Sequence, residues 1–147
     1  MKIFHRMRRL YWAPLLIASL MIYEKVFADI AVVVHRTNDV KLSVGNIEQL
    51  FLMKVFSFPD GKPAKPYELK DKSLKQAFVT KVINKSPEAY HSYWTRKLFT
   101  TNIKPPQQIN QLDELKTILQ KSHNAIAYID ANDIDQSMRV ALMIKVP

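Results

Sequence analysis

The residues best suited to chemistry lie in one short stretch, Asp71-Lys72-Ser73-Leu74-Lys75, just before an apolar helical pattern. A serine at a helix start can offer its hydroxyl to a small anion while the first helix N–H groups add their own bonds. Lys72 and Lys75 would add positive charge to such a site, and Lys70 would add less. The competing reading is that Ser73 only caps the helix and the lysines are solvated. A second candidate pair, Thr37 and Asn38, follows the first apolar run. Ligands of open α/β sheets bind in the crevice beyond strand C-termini, although Asn38-Asp39 reads equally well as a turn.

Other tempting residues lack the spacing that chemistry needs. His35 and His91 are far apart and form no paired-histidine motif, so no metal site is expected. Asp130, Asp133 and Asp135 lack the glycine and terminal glutamate of a calcium loop. Tyr90, Tyr93 and Trp94 recur at helical spacing and read as a core stripe. There is no nucleophile elbow, phosphate-binding Walker loop or Ser-His-Asp pattern, so catalysis is not expected and no cofactor is implied.

The N-terminal 28 residues have the order of a secretory signal peptide. Lys2, Arg6, Arg8 and Arg9 precede an uncharged run from Leu10 to Tyr23, and Val26-Phe27-Ala28 closes it. The run is shorter than the roughly 20 residues of a membrane span. Cleavage after Ala28 and a periplasmic mature chain are expected, with an uncleaved anchor as the alternative. Residues 29–147 then make one domain.

The 147 residues carry 22 Lys and Arg against 13 Asp and Glu, and no cysteine. Disulfides, thiol nucleophiles and cysteine-based zinc sites are thereby excluded. Beyond the expected leader, the positive charge is spread among acids rather than gathered in one block, which does not fit a nucleic-acid footprint.

The elements that must position the candidate residues follow from pattern. Ile30–His35 is a continuous β-branched run, expected as a strand buried on both faces. Ser43 opens a helix over 44–52, and Phe58–Lys62 is a turn around Asp60-Gly61. Residues 64–69 are extended, and Pro63 and Pro66 suggest an edge or irregular strand. A helix over 74–84 follows, then one opened by Ser86-Pro87-Glu88 and running to Leu98. Pro105-Pro106 lies in a loop, a helix runs from Asn110 or Gln111 to Lys121, and Ala125–Ile129 and Val140–Ile144 are strands. Alternating strands and helices predict a single α/β three-layer sandwich around a mixed or mostly parallel sheet.

This order of pieces resembles one lobe of the periplasmic phosphate-binding proteins, the type 2 substrate-binding proteins of phosphate ABC transporters. Five segments carry the resemblance: Ile30–Val34 with Asn38 and Val40; Leu42-Ser43 with Glu48–Lys54; Phe58–Gly61; Asp71 and Ser73 before the helix holding Phe78; and Tyr93-Trp94, Phe99-Thr100, Pro105-Pro106 and Ala125–Tyr128. The resemblance implies a non-catalytic transport protein that binds phosphate or another oxyanion, with Asp71 and Ser73 in the family's places; Thr37, Asn38, Lys72 and Lys75, read from the residues above, complete the candidate ligand set. It also implies a membrane permease, a sensor or a second copy of the chain as partner. The departures are specific. Where the family has the arginine, glycine and threonine of its anion loop, this chain has Leu69, Leu74 and Lys75. Met53 and Ala127 also stand in glycine places. These departures support the alternative, an interaction, accessory or sensory module that has lost the anion site.

Overall fold

The computed structural model describes residues 29–146, so the expected leader lies outside the described residues. Five strands form one sheet in the order β3-β2-β4-β1-β5. They are β1 (Ile30–His35), β2 (Lys65–Leu69), β3 (Gln107–Ile109), β4 (Ala125–Asp130) and β5 (Met138–Ile144). The helices are α1 (Val44–Phe51), α2 (Lys72–Phe78), α3 (Pro87–Thr101) and α4 (Leu112–Lys121).

The sheet is mixed. β2 pairs parallel with β3 and β4, whereas β1 pairs antiparallel with β4 and β5. Its hydrophobicity explains its place: Ile30 to Val34 and Ala125 to Ile129 are fully buried, so both faces of β1 and β4 are covered. The chain leaves β2 for β3 through α2 and α3, then returns past β2 to β4 through α4. Crossovers between parallel strands are right-handed in nearly all sheets, and these two run in opposite directions, which sets α4 on the face opposite α2 and α3. On the α2 face, Tyr128 stacks on Phe78 at 3.8 Å between centroids, and Phe51 meets Phe78 edge-on at 4.9 Å. The result is the expected three-layer sandwich.

Local rules account for most element ends. Ser43 caps α1 with a reciprocal box: its hydroxyl accepts from Asn46 N–H, and its own N–H donates to the Asn46 side chain. Ser86 accepts from Ala89 N–H, with Pro87 at the first helical position of α3. Gly61 holds φ +84° in its turn. Met53 also takes a left-handed φ of 51° at the exit of α1, a conformation that favours glycine.

Three expectations are corrected. β2 is an interior strand, not an edge. Pro66 is tolerated because β3 pairs only with Tyr67 to Leu69, so the missing Pro66 N–H costs no ladder bond on that side. The helix expected over 74–84 starts at Lys72, with Asp71 rather than Ser73 as its cap, and continues from Val79 to Ile83 as a π-helical segment. β3 has no counterpart in the sequence reading, and α3 runs three residues past Leu98.

Candidate functional site

The six candidate residues fall at two ends of the sheet. β1 runs antiparallel to β4 and β2 runs parallel to it. The loop after β1, with Thr37 and Asn38, therefore lies at the opposite end from the loop after β2, with Asp71 to Lys75. The topology does not bring them into one site.

At the β2–α2 end, a cleft of about 410 Å³ is lined by Leu69, Lys70, Asp71, Lys72, Lys75 and Gln108. Helix N-termini hold anions through free N–H groups, but here Asp71 takes that role. One oxygen of its carboxylate accepts from Ser73 N–H at 3.1 Å and Leu74 N–H at 3.0 Å. An arriving anion would compete with a resident carboxylate for the same donors and would meet its negative charge. Ser73 sits in the exposed first turn and is not the cap.

Lys75 is also committed. Its ammonium lies 2.8 Å from Glu68, whose side chain is 1% exposed inside β2. Tyr90 donates its hydroxyl to the other Glu68 oxygen at 3.4 Å, and the Lys75 ammonium lies 5.5 Å from the Tyr90 ring centre. Burial first, then the Glu68 charge, raises the Tyr90 phenol well above its ordinary range, and Tyr128 is raised for the same reasons in the same order. Both phenols therefore stay neutral across the physiological range. Among the described residues the Tyr128 hydroxyl has no hydrogen-bond partner. Glu68 was not singled out in the sequence, because one glutamate in a short strand looks like a solvated residue until both faces are known to be covered.

At the β1 end the groups hold one another. Asn38 is 8% exposed; its amide donates to the His123 carbonyl at 3.1 Å and its oxygen accepts from Val40 N–H at 3.0 Å. The Arg139 guanidinium donates to the Asn38 and Val40 carbonyls. His35 Nδ1 accepts from Thr37 N–H at 3.1 Å, which assigns the ring proton to Nε2, 3.1 Å from the Gln120 carbonyl. The His35 and His123 rings lie 3.7 Å apart. A cleft of about 460 Å³ opens beside His35, Arg36 and Thr37. Asn38 thus staples the loop, with one amide N–H and the amide oxygen each engaged within the protein. His123 was invisible in the sequence because only the antiparallel pairing of β1 and β4 puts it beside His35. Among the described residues, no group of three or more His, Asp or Glu side chains could hold a metal ion.

The mixed sheet with helices on both faces is the architecture of one half of a phosphate ABC transporter substrate-binding protein. Superposition on a substrate-binding protein of this class from Clostridium perfringens, solved with bound phosphate, gives a TM-score of 0.58 at 24% identity, covering 78% of this chain and 44% of that one. An ABC-type phosphate transport receptor from Vibrio cholerae gives 0.59 at 13% identity, covering 78% of this chain and 45% of the receptor. The chain thus spans less than half the length of either protein. No family model matches the chain, and no curated protein matches it in sequence. No helix among the described residues is long and apolar enough to cross a membrane.

Proposed function

We propose that this chain is a non-catalytic, extracytoplasmic domain of the phosphate-binding-protein fold that acts by docking, as an accessory or sensory module, rather than by carrying phosphate. One observation supports this above the others: the Asp71 carboxylate already occupies the Ser73 and Leu74 N–H groups that an anion at α2 would need. The Glu68–Lys75 pair acts in the same direction, because it neutralises the lysine best placed to assist.

A second reading rests on Lys70 and Lys72, which line the same cleft and form no ion pair among the described residues. They could draw phosphate or another oxyanion to its mouth. Titration calorimetry of the purified protein with phosphate at low salt, with sulfate as control, separates the two. The docking reading expects no saturable heat with either anion. Saturable phosphate binding, weakened at least tenfold in Lys72→Ala and Ser73→Ala, would replace it with oxyanion capture.

A further inference from the structure

The last turn of α3 carries the most exposed large apolar side chain among the described residues. Phe99 is 84% exposed and Leu98 41% exposed, adjacent apolar side chains on a helix end that the core does not use. A single exposed leucine needs no explanation, but a phenylalanine this bare beside a second large apolar residue does.

The sequence on both sides of this tip is basic. Between Glu88 and Asp113 the chain has no acidic residue, and the same stretch carries Arg96, Lys97 and Lys104. Arg96 lies three residues before Phe99, so the two are neighbours on the helix surface. Lys97 donates to the Tyr93 hydroxyl at 3.1 Å, and its ammonium lies 5.5 Å from the Tyr93 ring centre. The Lys85 ammonium lies 6.0 Å from the same ring centre. The Tyr93 hydroxyl in turn donates to the Leu52 carbonyl at 2.6 Å, just past the end of α1.

We infer that the C-terminal turn of α3 is a reversible docking point for an anionic lipid surface, with Phe99 and Leu98 entering the headgroup boundary and Arg96, Lys97 and Lys104 meeting lipid charge. Bare apolar side chains flanked by Lys and Arg are what interfacial anchors present to bilayers. A protein partner would be expected to use a broader face, on the order of 800 Å² per side, whereas here the apolar element is a single helix turn. One aromatic anchor and a few cations give weak, salt-sensitive attachment, since even a whole acyl chain holds a protein only marginally.

The test is vesicle sedimentation with protein starting at Asp29. The apolar leader is omitted, and residues 29–146 contain the whole described sheet and its core. Vesicles of phosphatidylcholine alone are compared with vesicles containing about 30% phosphatidylglycerol, and circular dichroism checks each variant. Binding is expected only to the anionic vesicles, lost in about 0.5 M salt and weakened at least fivefold by Phe99→Asp. Phe99→Trp is expected to show a blue-shifted emission when anionic vesicles are added. The inference is overturned if anionic vesicles are not bound. It is equally overturned if Phe99→Asp binds as well as wild type and Phe99→Trp shows no blue shift, because the attraction is then electrostatic alone.

Discussion

The two ends of the sheet satisfy their polar groups in opposite ways. At the β2–α2 end, charges are met by charges: Glu68 by Lys75, and the positive end of α2 by Asp71. At the β1 end, an amide, an imidazole and the Arg139 guanidinium staple a loop onto backbone groups, around Asn38, His35 and Thr37. An ion site needs charge that the protein leaves uncompensated. The first end commits Asp71 and Lys75 within the protein and leaves Lys70 and Lys72 without an ion pair among the described residues, whereas the second turns the Arg139 guanidinium onto the Asn38 and Val40 carbonyls. Residue identity and residue availability are therefore separate questions, and the second decides binding.

The comparison is tested most severely at Lys75. Lys75→Ala leaves Glu68 buried without its cation. Breaking a buried pair costs about 3–5 kcal/mol, and because Lys75 keeps 28% of its side chain exposed the expected loss is nearer about 2–3 kcal/mol. Urea unfolding measures it, and adding Glu68→Gln should recover most of it. No recovery would mean that Lys75 acts by packing instead. At the other end, Asn38→Ala strands the Val40 N–H, and the expected loss is about 2 kcal/mol. An equal loss in Thr37→Ala would show that the staple is spread over the loop rather than centred on Asn38.

Capping gives a finer discrimination. Asp71→Ala should cost about 1 kcal/mol while Asp71→Asn stays close to wild type, because asparagine caps as well as aspartate. Ser73→Ala should change stability by less than about 0.5 kcal/mol, as an exposed substitution away from a cap does. The reverse order would restore Ser73 as the cap.

The smallest expected effect lies at the β1 end in acid. The Lys116 ammonium, then the Ser137 hydroxyl and N–H, hold the Asp135 carboxyl down from 3.8 to about 2. A depressed carboxyl contributes stability that is fully present above its unfolded value and is lost as pH falls toward the folded one. Asp135→Asn should therefore flatten a shallow decline in thermal stability between about pH 4 and pH 2. A decline of unchanged depth in the variant would assign it to another carboxylate.

What could be read from the sequence follows from what is locally encoded. β1, β4 and β5 announce themselves as apolar runs, and Ser43 and Ser86-Pro87 announce α1 and α3, because strand burial and caps depend on adjacent residues. β3 is Gln-Gln-Ile, three residues with no pattern, held in the sheet by pairing with β2. The interior place of β2 was hidden by Pro66, whose cost vanishes only because β3 is so short. Asp71 and Ser73 were both visible, but which one caps depends on where the helix begins. That start shifted by two residues and moved the cap with it. Neither Glu68 nor His123 has a local signature; their partners come from seven residues ahead and from a strand pairing.

The most direct test of the central claim follows the amide signals of Ser73 and Leu74 by NMR while phosphate is added. With Asp71 holding both N–H groups, neither signal should show a saturable shift, and any drift should match that produced by equal ionic strength of chloride. A saturable movement of both amides with phosphate, absent with chloride, would mean that the anion displaces Asp71, and would contradict the account.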